Sequence, residues 1–367
     1  MKRGFLVLLC LLSVAFPLAA FADSASVEQD YLEKAKVVEA SASRPQSLPG
    51  TNITGKTQDI TVEVLEGVDK GKSVSFENDY TQVTAGEIVY VRHITGGFST
   101  DTWSVADPYR LPVLGILFIV FLFLALLIGG FQGLRALASL AGSFVLIFFV
   151  LLPGIHAGYS PVLISIGVAS LIIIVGSYIT HGFNRTTTAA VLSMIGTVII
   201  TGLAAYFVIH ASHLSGFATE ENVYLNFNTN GRIDMVGLLF GGIMIGLLGV
   251  LYDIAIGQAI AVEELYHAGE HYTRKKIFER GMRIGREHIG ALINTLAIAY
   301  VGTALPLLLL LSGATTTVAY LLNSEIFASE IIRILIGSIG LILAVPLTTA
   351  VATLMLSKKS SVTGHTH

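Results

Sequence analysis

Residues 111–130 read LPVLGILFIVFLFLALLIGG, twenty positions in a row without a charged side chain. A helix needs about 20 mainly apolar residues to cross a hydrocarbon core of ~30 Å. Water is missing there, so the backbone must satisfy its own hydrogen bonds, and a helix does so within one segment. Six further runs repeat the pattern at 136–152, 161–180, 187–209, 235–252, 289–311 and 334–356, and none contains Lys, Arg, Asp or Glu. The expectation is an α-helical polytopic membrane protein with seven transmembrane helices. Composition agrees: of 367 residues, 53% are hydrophobic and 13% charged, about half the charged share of an ordinary soluble domain. Mean hydropathy is +0.74. The formal net charge of −3 offers nothing to a nucleic acid, and the single cysteine, Cys10, excludes a disulfide framework or a cysteine-based metal site.

Toward the N-terminus the chain changes character. Lys2 and Arg3, the apolar run 4–18 and Ala20-Phe21-Ala22 read as an export signal occupying 1–22, with Asp23 as the first mature residue; an uncleaved signal anchor is the alternative. Either puts residue 23 onward outside the cytoplasm. Residues 23–58 read as a polar helix (26–40) followed by a Ser-, Pro-, Gly- and Thr-rich linker. From 59 to 110 the period shortens to two: Ile60, Val62 and Val64 alternate with polar residues, 68–71 looks like a turn, and 73–76, 87–94 and 100–106 are further strands. Four or five short strands in so few residues suggest a small exported β-rich domain of OB or SH3 type.

Loop charges give the orientation. With residues 23–110 outside, Arg135, Arg185, the basic loop from Arg274 to Arg286 and the tail 357–367 with Lys358 and Lys359 all fall inside; the outward loops carry only Arg232 and Arg333. This positive-inside bias places the chain in a bacterial cytoplasmic membrane, N-terminal domain out and C-terminus in. The inward loop, about Gln258 to His288, is long and mixed in charge, and the fifth span is expected to continue into it as an amphipathic cytoplasmic extension.

Several residues could carry chemistry. Gly237, Gly241, Gly242, Gly246 and Gly249 give the fifth span overlapping small-xxx-small spacing, which lets helix backbones approach closely. Asp253 follows at its inner end, and a carboxylate at that depth commonly faces a bundle interior or a wet cavity. Asn294 and Thr295 in the sixth span, with Gln258 one turn below, are its expected partners, and Tyr300 joins them as a candidate along a solute or ion pathway. Pro306 and Pro346 could break their helices and bare carbonyls. His267, Glu270 and His271 match H-x-x-E-H, the spacing of two zinc ligands and a base on one helix face, although a solvated charged surface explains them as well. His210 and His213, at the outer end of the fourth span, could sense pH or bind a metal. No phosphate-binding glycine loop, G-x-S-x-G elbow or H-E-x-x-H motif occurs, so neither ATP-driven pumping nor common hydrolysis has a visible site. No cofactor is indicated, and the partners expected are the lipid bilayer and either a second copy or another membrane protein.

Three stretches resemble the YibE/F-like family of bacterial membrane proteins: Gly237 through Asp253 to Ile256, Gly281-Met-Arg-Ile-Gly285 on to Gly290, and Asn294 through Tyr300 to Pro306. The resemblance is specific over 237–310 and extends in layout over 60–356. Where the family pattern often has a hydroxyl residue four after the Asp, Gly257 stands here. It implies a shared architecture, an exported β-rich domain followed by a polytopic helical domain, and it assigns no reaction and no site residue. Three readings follow from the residues: an ATP-independent permease for a small solute or ion, a non-catalytic envelope sensor or assembly partner acting through its exported domain, and a membrane metalloprotein using His267, Glu270 and His271.

Overall fold

The computed structural model describes residues 29–47, 54–95, 101–269, 272–313 and 316–356. The signal segment 1–22, Cys10, Glu270, His271 and the tail 357–367 lie outside them. Packing divides the chain into two units, Met1–Ile128 and Gly129–His367.

In the first unit six strands form an antiparallel sheet: β1 (Gln29–Ala40), β2 (Arg44–Ser47), β3 (Thr54–Glu66), β4 (Ser73–Asn78), β5 (Ile88–Thr95) and β6 (Thr102–Pro108). They lie in the order β2-β3-β1-β5-β6, with β4 also on β3, and β4 and β6 come near each other, so the sheet curls. Inward positions recur every second residue, as a pleated strand requires. Val37 faces Val62, Ile60 faces Phe76 and Val91 faces Val105, and these close a core with Ala35, Val83 and Val89. The alternation at Ile60, Val62 and Val64 is real, all three being buried. The helix expected over 26–40 is instead strand β1 from Gln29 onward. Its Glu, Lys and Ala content favours a helix, but Glu33, Ala35 and Val37 are buried at period two between exposed Leu32, Lys36 and Val38. Pairing on both edges, with β3 and β5, supplies the bonds that override a weak local propensity. The linker expected over 41–58 contains β2, which pairs with the start of β3 from Arg44↔Thr57 to Ser47↔Thr54. Arg44 to Gln46 are exposed, so the strand carries no apolar alternation to betray it.

The remainder is helical. Helix α1 (Leu111–Leu146) has a non-helical residue at Gly130 (φ 53°, ψ −135°) and passes through one wide turn (Ile147–Leu151) into α2 (Leu152–His156). There follow α3 (Pro161–His181), α4 (Arg185–Ala211), α5 (Glu220–Asn228), α6 (Met235–Ala268), α7 (Arg274–Thr303), α8 (Leu305–Ser312), α9 (Val318–Asn323) and α10 (Glu325–Leu356). Five runs are long and apolar enough to cross a bilayer: 111–156, α3, α4, α6 and α10. The first contains two of the expected spans, on either side of Gly130. The expected sixth span divides at Ala304 between α7 and α8, because Pro306 sits in the first turn of a new helix, where its missing N–H costs nothing. Pro346 stays within α10. That helix begins at Glu325, so Arg333, expected in the loop before it, lies inside it. Helix α6 runs to Ala268, extending past its apolar run as expected.

α6 is the centre of this unit. Phe240, Met244, Leu247 and Leu251 pack with Met194, Val198 and Ala205 of α4 and Ile336, Leu341 and Val345 of α10. Successive long helices alternate in direction, so α3, α6 and α10 run parallel and α4 and α7 run against them, as Gly237 against Pro161, Gly176 against Tyr252, Gly340 against Leu247, Gly202 against Met244 and Gly281 against Thr349 show. One end gathers Ser160, His210, Asp234 and Glu325, and there the Glu325 carboxylate accepts from Ser215 N (2.9 Å), Ser215 Oγ (2.7 Å) and Gly216 N (2.7 Å). The opposite end gathers Thr180, Asp253, Gly281 and Thr349. No residue of α1 is buried, and apolar side chains also cover the outer faces of α3 and α4.

Candidate functional site

Glycine in α6 does two different things. A Cβ on Gly241 would fall 2.5 Å from Ser165 Oγ, and one on Gly237 3.3 Å from Pro161 Cβ, so both set the approach of α3. A Cβ on Gly246 would lie 2.9 Å from the Tyr300 hydroxyl, on the opposite side, where α7 passes. Gly242 and Gly249 face open space. Of the five glycines, three are contact positions, as close helix approach requires.

Two cavities lie in opposite halves of the unit, one lined by α6 and the other by the helices beyond Gly246. Nearer the Thr180 end, a groove of about 490 Å³ is lined by Asp253, Tyr252 and Gly249 of α6, Ser139 and Ser143 of α1, and Gly176 and Thr180 of α3. Asp253 is exposed in it. Close approach shapes its floor: a Cβ on Gly176 would sit 2.8 Å from Ser139 Oγ. Nearer the Glu325 end, a cavity of about 660 Å³ lies among α7, α8, α10 and residues 218–219, lined by Tyr300, Thr303, Leu307, Ser329, Glu330 and Arg333. Arg333 Nη2 is 3.6 Å from Glu330 Oε1, and its guanidinium lies over the Tyr300 ring at 6.0 Å.

The expected pathway residues are thus only partly brought together. No α7 residue lines the groove at Asp253. Asn294 and Thr295 are exposed on α7, with Thr295 Oγ1 donating to Ala291 O at 3.0 Å. Tyr300 belongs to the other cavity. Gln258, proposed as a partner of Asp253, is buried instead in a three-helix crossing, where its Nε2 donates to Gly281 O (2.8 Å) and Thr349 Oγ1 (2.7 Å). Gly281 and Gly285 make room for it: a Cβ on Gly285 would stand 2.3 Å from Val345 Cγ1 and 3.0 Å from Gln258 Oε1. His210 and His213 line a third cavity, about 690 Å³, with Asp234 and Phe240; His210 Nδ1–H donates to Tyr206 O at 2.7 Å.

His267 is exposed near the end of α6, which stops at Ala268, so the helix turn that would align it with His271 is not continuous. Glu270 and His271 are outside the described residues. Among the described residues, no group of three or more His, Cys, Asp or Glu side chains is placed to hold a metal ion.

The first unit holds a polar cluster that the sequence did not announce. Asp69 and His93 are both buried, with His93 Nδ1 2.5 Å from Asp69 Oδ2. Trp103 stacks on the His93 ring at 3.9 Å. Glu33, also buried, accepts from Asp69 N (3.0 Å), and Lys72 hydrogen-bonds the other Asp69 oxygen. The Lys72 bond, aided by His93, holds the Asp69 carboxyl below its ordinary range against the opposing effect of burial. The signal was present in the parity of β1: read as a strand, Glu33 falls on the inward face with Ala35 and Val37.

No curated protein matches the chain, and neither does any solved structure. The family model described as YibE/F-like protein matches residues 117–358, about two thirds of the chain and nearly all of the helical segments just described, and the chain belongs to the YibE/F-like family.

Proposed function

We propose that this chain is an integral membrane permease that moves a small solute or ion without ATP. The observation that carries the reading is α6, a glycine-rich helix that lines the Asp253 groove and, at Gly246, touches Tyr300 in the wall of a second cavity in the opposite half of the unit. Such an arrangement suits alternating exposure of a site, with small residues allowing one helix to shift against its neighbours. Asp253, set in the inner groove, would bind the coupling proton or cation.

The topology proposed with it has seven crossings, the sheet unit outside and the C-terminus inside. A helical run of 46 residues measures about 69 Å at 1.5 Å per residue, more than twice a ~30 Å core. Residues 111–156 therefore fit two crossings that reverse at Gly130, and α7 with α8 supplies a further one. The curled sheet suits a small barrel of OB or SH3 type, although it has six strands. A cleaved signal peptide and the bacterial cytoplasmic membrane complete the reading.

Flux into proteoliposomes containing the purified chain, compared with the Asp253→Asn variant, tests it. Solute-dependent flux that the variant loses while remaining folded is the expected result; normal flux in the variant removes Asp253 from the mechanism. The second reading, an envelope sensor or assembly partner, draws support from the buried Asp69–His93–Glu33 cluster in the sheet unit. Deleting residues 23–100 separates the two: a permease keeps most of its flux, whereas a sensor loses all function.

A further inference from the structure

Arg333 is the ninth residue of α10, about 12 Å along the helix at 1.5 Å per residue. It stands directly before the apolar run 334–356 with its side chain only 29% exposed, and a guanidinium so placed is costly unless its donors are used. It carries five N–H donors in a planar fork. Its partners use few of them. The Glu330 contact, at 3.6 Å, exceeds hydrogen-bond length, the Tyr300 ring offers a face and no acceptor, and the Nε atom is buried without a partner. Donor capacity is therefore left over on the wall of a cavity of about 660 Å³ whose remaining surface is largely aliphatic, from Leu296, Ala299, Leu307 and Ile326.

We propose that this cavity binds a small monocarboxylate with a compact apolar body, its carboxylate held by the fork of Arg333 and its body against the aliphatic wall. The fork matches a carboxylate with two parallel hydrogen bonds. Glu330 sets the charge of the ligand. It already offsets the guanidinium, so a monoanion takes the site to one net negative charge and a dianion to two, which favours the monoanion. Tyr300, seated against Gly246, holds its ring over the guanidinium and keeps the fork from swinging away. The inference names the solute for the outer cavity of the permease proposed above, and it rests on that reading for transport but not for binding.

Calorimetric titration of the detergent-purified full chain with butyrate tests it, with succinate, inorganic phosphate and palmitate as the other probes. The expected result is one butyrate site, weakened at least tenfold in Arg333→Lys and lost in Arg333→Gln, with succinate and phosphate silent. Glu330→Gln should then admit succinate; this variant carries the test if the arginine variants fail to fold. No butyrate binding to folded wild type, equal binding in Arg333→Gln, or binding of phosphate or palmitate alone overturns the proposal, palmitate pointing to a lipid. Butyrate exchange in proteoliposomes separates the two readings. Binding without exchange leaves this site standing and removes the permease, while exchange indifferent to Arg333 does the reverse.

Discussion

Asp69 shows what a single buried carboxylate does for the sheet unit. Lys72 and His93 both favour its ionised form, so its pKa in the folded chain is lowered. The linkage has a definite sign: stability from this group is fully present above the unfolded carboxyl value near 4 and is lost as pH falls through the lowered folded value. Trp103 is the only tryptophan and stacks on His93, so its fluorescence reports this unit alone. Unfolding followed at Trp103 in the full-length protein should show a midpoint that drops steeply below about pH 4, and Asp69→Asn should lower the midpoint at neutral pH and flatten that drop. An unchanged acid limb in the variant would remove Asp69 from the acid response. The equivalent residue in the helical unit is Gln258. Leucine there would lose both donated bonds and leave Thr349 Oγ1 with one partner fewer, a cost of about 1 kcal/mol for a polar contact between membrane helices, read as a lowered Tm in detergent. The separation of Asp253 from Asn294 was not legible because sequence gives only the period of a helix, and Asp253 turns toward α3 while Gly246 faces α7. Tyr300 was the one expected pathway residue that reached a cavity with other charged side chains.

Whole elements were easier to read than contacts between residues. The apolar runs located the helices long and apolar enough to cross a bilayer because hydrocarbon length is a hard physical limit, whereas the polar first half of α7, from Arg274, fell in a stretch read as a loop; β3 to β6 were legible from alternation and turns. β1 was not, since its composition suits a helix and its strand state comes from β3 and β5 on either side. α5 was also missed, being short and polar within a loop. Glycines in the matching family segments gain a structural reason at the crossing of α6, α7 and α10. Gly285→Ala should press a methyl into Val345 and Gln258, destabilising the helical unit by about 1–3 kcal/mol as overpacking does, whereas Gly242→Ala, which meets nothing within 4 Å, should leave Tm unchanged or raised. The connection from α4 to α10 has its own lock. Gly216 has φ +80°, and a Cβ there would lie 2.4 Å from Met235 backbone atoms; its N–H and that of Ser215 bind Glu325. Glu325→Gln keeps the shape and removes the charge, so a loss of about 2 kcal/mol is expected for charge-assisted bonds. An equal Tm for the two proteins would show that the loop is held by packing alone.

At the scale of the molecule, the question is how often the chain crosses the bilayer, and one residue decides it. Lys70, in the β3–β4 turn, and Lys275, at the start of α7, are both exposed. If residues 111–156 cross once, then that run, α3, α4 and α6 make an even number of crossings before Lys275, and both lysines lie on the same side. If the run reverses at Gly130, the number is odd and they lie on opposite sides. Arg274, Lys275, Lys276 and Arg280 then fall on the cytoplasmic side, as the excess of basic residues in cytoplasmic segments requires. Replacing Cys10, the only cysteine, and adding cysteine at one lysine at a time makes the test direct. A membrane-impermeant maleimide applied to intact spheroplasts should label Lys70→Cys at once and Lys275→Cys only after permeabilisation. Labelling of both without permeabilisation would mean a single long crossing through Gly130. It would place the basic start of α7 outside and bring the Asp253 groove to the same face of the membrane as the sheet unit. The proposal that Asp253 serves an inner groove would then have to be abandoned.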